Sequence, residues 1–501
     1  MRTLNIFFIF IFLIKVNAQT PSFPFPKHTT YTTGTIKPNN FTQIQLDNQV
    51  KSFYDSWKTT YLKPHCTDPS QYYIEFSATG NKCVSEGQGY GMVIVAYMAG
   101  YDVNAKTEFD GLYKWVKQHP SNINPLLMNW RQGSSCQSIQ NDAATDGDLN
   151  IAFALLLADK QWGSTGIINY LQDAINIINA IKTSSLFLPT NSVKLGDWAT
   201  GNNYANDTRS SDLMTSHFRT FQDVTSDITW TNVLEKSFSI INTIQTNNSA
   251  ISGLLPDFIE NCDSTPIPAV PGFLEGPNDG FYAYNACRVP WNLGVDYALY
   301  GDVRAKTACD KINIWLKSTT SNNINNIQSG YKLDGSTNGQ NYRHLAFMAP
   351  FTVGAMVNAS NQTWLNNLWS YLVNAPIDNF GNGYYGDVIK MYSMIIVSGN
   401  YWAPQSATLN TKNNVFIENS IEIYPNPSNE ICTLKFSLLE DSNIKLNLID
   451  TAGKIIYSEN YNSFSKGVNS ITLDVRKFSK GNYFCQIISK KSKTVRQIVI
   501  E

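Results

Sequence analysis

Acidic side chains recur along this 501-residue chain in short polar stretches that run directly into apolar ones. They are Glu86 in SEGQGYGM, Asp146 and Asp148 in ATDGDLN, Asp212 in TRSSDLM, and Glu275 in FLEGPNDG. Aromatic residues stand beside them, Tyr90, Trp130, Trp198, Tyr284 and Trp291, with Asn285 and Arg288 in YNACRVPW. Carboxylates interleaved with flat rings are the chemistry of a sugar cleft: rings stack on pyranose faces while two carboxyls flank the bond to be cut. Arg288 is expected to brace carboxylates, since a guanidinium pairs them through several donors. His217 and His344 are expected to serve packing or hydrogen bonding. The five histidines are scattered and no CxxC pair occurs, so neither a metal site nor a cofactor is expected.

These residues need a scaffold that brings them to one place. From about Leu46 to Val397 two kinds of apolar segment alternate. One is amphipathic at helical spacing, as in Ile167, Leu171, Ile175 and Ile178, or Ala305, Ala308, Ile312 and Trp315. The other is apolar all round, as in MVIVAYMA after Glu86, IAFALLLA after Asp148 and LAFMAPFTVGAMV after His344, and must be buried on every side. About twelve helices in six pairs result, the pattern of an all-α (α/α)6 barrel. Periodicity alone does not separate a closed ring from a solenoid. The polar loops before the buried helices favour closure, because they would gather at one end. At the mouth of its helix Glu86 would feel a positive dipole that favours ionisation. An acid that keeps its proton there needs apolar walls or a neighbouring carboxylate.

The opening MRTLNIFFIFIFLIKVNA reads as a secretory signal over residues 1–18, too short in its apolar run to span a membrane. The helical domain is then 19–402, a polar linker 403–420, and 421–501 a module of alternating short strands, a small all-β sandwich. Residues 19–420 carry 25 basic against 31 acidic side chains, which disfavours nucleic acid and suits a neutral or cationic ligand. No transmembrane segment is expected, and the protein is expected to be a monomer. Eight cysteines are compatible with disulfides in an exported chain, and their pairing stays open. Cys66 and Cys83 flank a loop before Glu86, while Cys287 and Cys309 are expected as buried thiols.

The C-terminal module resembles the sorting domain of type IX secretion cargo, through YPNP at 424–427, IDTAGKIIYS, GNYFCQI and the basic tail KKSKTVRQIVI. That resemblance implies the secretion machinery as a partner and a secreted or surface-attached location.

Over about residues 41–402, SEGQGYGM and ATDGDLNIAFALLLADKQW resemble glycoside hydrolase family 8, which implies an inverting hydrolase on an (α/α)6 barrel. The resemblance makes Glu86 the general acid and Asp146 the residue that binds the sugar at the cleavage point. The endoglucanase branch carries its base, an aspartate, where this chain has Asn285, and an amide cannot take a proton. The chitosanase branch uses a glutamate just upstream, which points to Glu275, with Asp279, Asp257 and Glu260 as alternatives. The expectation is therefore a chitosanase, with Asp146, Asp148 and Asp212 meeting glucosamine ammonium groups. A β-glucanase of the same family and a non-catalytic glycan binder are the competing readings. The substrate-contacting set is completed by Tyr90, Trp130, Trp198, Tyr284, Asn285, Arg288 and Trp291.

Overall fold

The computed structural model describes residues 20–77, 82–201, 204–378, 383–405, 421–438, 441–450, 454–489 and 493–501. The expected signal at 1–18 and most of the expected linker lie outside the described residues. The chain divides into two compact units, up to Ser406 and from Ala407 onward.

Twelve α-helices among the described residues build the first unit. The outer set is α1 (Gln43–Tyr61), α3 (Ala105–Gln118), α5 (Tyr170–Ser184), α7 (Thr229–Asn247), α9 (Val303–Thr319) and α11 (Gln362–Asn374). The inner set is α2 (Ser85–Met98), α4 (Thr145–Trp162), α6 (Thr215–Thr225), α8 (Val289–Tyr300), α10 (Leu345–Ala355) and α12 (Gly383–Val397). Each inner helix packs on the next, and α12 packs back on α2, which closes the ring and excludes the solenoid. Each outer helix covers one inner partner, α1 on α12 and α3 on α2 among them. The inner helices are buried nearly throughout, as their all-round apolar sequences require. Among the described residues no helix is long and apolar enough to cross a membrane.

The stretch SEGQGYGM reads as flexible chain ahead of a helix, but it forms the first two turns of α2 itself. Its glycines are there for close packing. A Cβ at Gly87 would overlap the Tyr384 hydroxyl, one at Gly89 would lie 2.9 Å from the Gly147 carbonyl of α4, and one at Gly91 would overlap Ile74. Tertiary contact thus overrides the poor helix propensity of glycine.

An extended strap, residues 22–36, crosses the far end of the ring. Backbone N–H groups of Ser22, Phe25, Thr29, Thr32 and Ile36 donate to the carbonyls of Gln161, Ala99, Gly399, Ala298 and Met356, at 2.7–3.0 Å. Those carbonyls lie at the C-terminal ends of α4, α2, α12, α8 and α10, where helices leave acceptors unsatisfied.

The second unit pairs a three-stranded sheet, β1 (Glu422–Tyr424), β2 (Ile431–Leu438) and β5 (Gly467–Asp474), with a four-stranded one. The latter has the order β4 (Ile455–Phe464), β3 (Ser442–Asp450), β6 (Gly481–Ile488), β7 (Lys493–Ile500), all antiparallel. Alternate residues such as Leu434, Phe436, Leu446, Leu448, Cys485 and Ile487 form its separate core.

Of the eight cysteines, Cys66 and Cys136 form a disulfide between two loops, while Cys83, Cys262, Cys287, Cys309, Cys432 and Cys485 are buried thiols.

Candidate active site

The N-terminal ends of the inner helices meet at one end of the ring, opposite the strap. Glu86 is on the first turn of α2, Asp146 on that of α4, and Arg288 on the short 3-10 turn Ala286–Arg288 that leads into α8. The start of α2 is aimed by a two-residue antiparallel pairing, Cys83–Val84 with Arg131–Gln132, and by Ser85 N–H donating to the Trp130 carbonyl at 2.9 Å. Pro290 in the first turn of α8 suits a helix start, where the missing N–H is not needed.

Arg288 is the hub. Its Nη1 donates to Glu86 Oε1, to Asp146 Oδ2 at 3.0 Å and to the Tyr90 hydroxyl at 3.1 Å. Its Nη2 donates to Asn285 Oδ1 at 3.0 Å. Asn285 in turn donates from Nδ2 to Glu275 Oε2 at 2.9 Å. Glu86 and Glu275 are therefore linked without touching, through a guanidinium and an amide.

A second guanidinium, Arg209, lies at the end of the two-residue strand Thr208–Arg209, which pairs with Phe258–Glu260. Its Nη1 is 3.5 Å from Asp146 Oδ2 and 3.4 Å from Asp212 Oδ2, and its Nη2 is 3.8 Å from Glu275 Oε1. Arg209 escapes the sequence reading, which sought carboxylates in TRSSDLM. The signal was there: acids gathered into a buried cluster require cations to pair with them.

Burial dominates the electrostatics. It raises the Glu86 carboxyl to about 7; the Arg288 and Arg209 charges oppose the rise, and Asp146 reinforces it. Burial and a neighbouring carboxylate, Asp146, thus oppose the helix dipole. Burial also raises Asp212 to about 7, against Arg209. Asp146 is buried too, but two guanidiniums overcome that and hold it below the ordinary carboxylate range.

The four acids considered as partners of Glu86 differ in what they already hold. Asp257 Oδ1 accepts the backbone N–H groups of Ala283, Asn285 and Ala286 at 2.6–3.0 Å. Asp279 accepts those of Leu274, Glu275 and Gly276 at 2.8–3.0 Å, closing the loop that carries Glu275. Glu260 Oε1 accepts Val270 N–H at 2.9 Å. Glu275 holds only side chains and is 52% exposed, against 16% for Glu86.

Several expected substrate contacts point elsewhere. Asp148 is buried, with Oδ1 accepting Met128 N–H at 2.9 Å, because it lies on the side of α4 turned toward the 128–130 segment. Asp212 is buried behind Arg209. Tyr90 is buried and supports Glu86, its hydroxyl 3.4 Å from Oε1. Trp291 packs inside the ring against Tyr90 and Tyr392, with centroids 5.5 and 4.4 Å away, and is buried, so it offers no open face to a sugar. Trp130, Trp198 and Tyr284 remain half-exposed. Trp198 continues into Tyr204 and Phe273, edge to face at 5.3 Å each, beside the Glu275 loop. His217 is stacked on Phe153 at 4.1 Å in the core, and His344 caps α10 by accepting Ala346 N–H at 3.1 Å.

Residues 41–399 match the profile of Glycosyl hydrolases family 8, and 422–501 that of the Secretion system C-terminal sorting domain. A "Beta-glucanase" of Niallia circulans is 49% identical over 383 residues, covering 76% of this chain and 92% of that protein. An "Endoglucanase" of Bacillus sp. (strain KSM-330) is 41% identical over 390 residues, 76% of this chain and 82% of that one. The apo structure of a beta-1,3-1,4-glucanase from Paenibacillus sp. X4 superposes with a TM-score of 0.74 at 49% identity, covering 77% of this chain and 100% of that one. A cold-adapted family 8 xylanase in complex with substrate, 21% identical with a TM-score of 0.63, shares the fold. The closed ring of paired helices, the acids gathered at one end of it and these likenesses agree: the chain belongs to glycosyl hydrolases family 8 and ends in a secretion sorting domain.

Proposed function

We propose that this glycoside hydrolase is an inverting endo-β-glucanase acting on neutral glucan, with Glu86 as general acid and Glu275 as general base. The observation that carries the reading is the linkage Glu86, Arg288, Asn285, Glu275, which sets two carboxyls of opposite environment at one end of the ring. A buried acid raised to about 7 keeps its proton for the leaving oxygen, while the exposed one is open to water. Inverting pairs stand roughly 6.5–9.5 Å apart to admit the attacking water between carboxyl and anomeric carbon. Glu275 is the acid among the four candidates whose oxygens are not spent on the backbone. In the reaction, Glu86 gives its proton to the glycosidic oxygen as the bond lengthens. Ionised Glu275 takes one from the water attacking the opposite face. Asp146, held ionised by two guanidiniums, faces the sugar at the cleavage point.

The expectation of chitosan gives way here. Asp146 and Asp212 are already paired with guanidiniums and Asp148 is buried, so they offer no free charge to a glucosamine ammonium. Aromatic faces and paired polar groups suit neutral hydroxyls better. The names of the relatives, Beta-glucanase and Endoglucanase, support the same choice. A binder without catalysis loses its motive, since an acid stands beside the amide at 285. The sorting domain makes the protein a cargo of type IX secretion, released or held at the cell surface.

The test is a panel of mixed-linkage glucan, carboxymethyl cellulose, xylan and chitosan, with NMR of the first-formed product. Reducing ends from the glucans, born as the α anomer from β linkages, are expected. Release from chitosan alone would refute the substrate, and a β anomer would refute the mechanism.

A further inference from the structure

Glu275 sits on a loop and is half in solvent, yet a general base must keep one oxygen on the attacking water, and small misplacements are costly. Two side chains from separate elements meet its carboxylate: Asn285 Nδ2 at 2.9 Å from Oε2, and Arg209 Nη2 at 3.8 Å from Oε1. Each is itself held. Asn285 is pinned by its own N–H on Asp257 at 3.0 Å and by its Oδ1 on Arg288. Arg209 is pinned by Asp212 and Asp146 and lies over the Phe258 ring at 5.5 Å. Arg209 is 8% exposed, and its Nε is buried without a hydrogen-bond partner among the described residues. A donor left unsatisfied in this way costs stability and needs a reason to persist.

Resting on the reading of Glu275 as the base, we propose that Arg209 and Asn285 are its positioning residues, a two-point clamp that aims the carboxylate at the attacked face. Asn285 orients one oxygen through a directional bond, and Arg209 draws the other by charge. Because Arg209 also touches Asp146, the base and the residue facing the sugar are tied to one guanidinium. The other charged groups around the clamp are Asp257 behind Asn285, Arg288 beyond it, Asp146 and Asp212 on Arg209, and Asp279 in the loop of Glu275 itself.

The experiment uses the purified full chain with Arg209→Lys, Asn285→Ala and Glu275→Gln, assayed on mixed-linkage glucan for kcat, KM, pH profile and melting temperature. Arg209→Lys and Asn285→Ala are each expected to lower kcat about 10- to 100-fold, part of what a positioned base supplies, with KM little changed. The alkaline-side fall of kcat/KM should stay where the parent has it, since Glu86 is untouched. Unchanged kcat in folded variants overturns the clamp. So does a shift confined to the alkaline side, which would place the effect on Glu86 through Arg288. Should Arg209→Lys not fold, Asn285→Ala decides alone, since its backbone bonds to Asp257 survive truncation. Parent-like activity in Glu275→Gln would instead refute the base itself, whereas an inactive Glu275→Gln beside two unaffected variants would sink the clamp alone.

Discussion

Arg288 Nη1 lies 3.0 Å from Asp146 Oδ2 and donates from the same nitrogen to Glu86, so one charge serves two carboxyls that must behave differently. Asp146 gains a second guanidinium in Arg209 and stays ionised, while burial dominates at Glu86 and keeps it protonated up to about 7. In the proposed mechanism the labour divides by contacts: Asp146 touches two guanidiniums and accepts Gly147 N–H at 2.9 Å, whereas Glu86 touches one and has Asp146 as a neighbouring carboxylate.

The first consequence is kinetic. As the proposed general acid, Glu86 would have to carry a proton to act, so kcat/KM should fall on the alkaline side around pH 7. Glu86→Gln should lower kcat by roughly 10²- to 10⁴-fold. A pH–rate profile of the parent and single-turnover assays of the variant check this. A parent equally active at pH 9 would contradict the assignment.

The same shift has a thermodynamic side. A carboxyl whose folded value is raised above its unfolded one binds more protons in the folded state between those values. Glu86 therefore costs stability progressively as pH rises from about 4.5 to about 7. Glu86→Gln carries no such penalty. The variant should gain on the parent by about 1–3 kcal/mol between pH 5 and pH 8, read by chemical denaturation at both values. A pH-independent difference would show that Glu86 does not titrate in this window.

Helical period and local motif made much of this visible in the sequence. The alternation of amphipathic and all-apolar segments gave six pairs, and the polar runs gave Glu86, Asp146, Glu275, Asn285 and Arg288. Ring closure was legible only indirectly, through the polar loops before the buried helices, because the contact that makes it joins α2 and α12, far apart in the sequence. Nor was the facing of Asp148, Asp212, Tyr90 and Trp291. On a helix buried all round, period does not say which side looks into the cleft, and the rotation of α2 and α4 is set by approaches such as Gly89 on Gly147. The strap at 22–36 has no periodicity at all, since its bonds are to five separate helix ends.

That strap yields a stability prediction. Gln161, buried near the end of α4, accepts Phe23 N–H at 2.9 Å and donates to the carbonyls of Phe23 and Ala96 at 2.9 and 2.8 Å. Gln161→Leu keeps the volume but strands these groups. About 2–3 kcal/mol of stability should be lost, measured by urea unfolding, with kcat little changed because the site is at the other end of the ring. A loss under about 0.5 kcal/mol would mean that the strap is not a structural clasp.

Gly87 links the backbone of α2 to the cleft wall. A Cβ there would overlap the Tyr384 hydroxyl and lie 2.8 Å from its ring carbon Cζ, so Gly87→Ala must displace either the ring or the helix turn that carries Glu86. Tyr384 precedes Tyr385, whose hydroxyl donates to the Tyr284 carbonyl at 2.6 Å and whose ring lies 6.0 Å from the Arg288 guanidinium. Displacement at Tyr384 is therefore carried toward the hub of the site. Gly87→Ala should cost about 1–3 kcal/mol by overpacking and lower kcat more than it raises KM. Tyr384→Phe removes the overlapping hydroxyl, a group with no hydrogen-bond partner to lose among the described residues. The double variant should recover part of both losses, and the coupling read from the four-member cycle should be favourable by about 0.5–3 kcal/mol. Strictly additive effects would place the strain somewhere other than this contact.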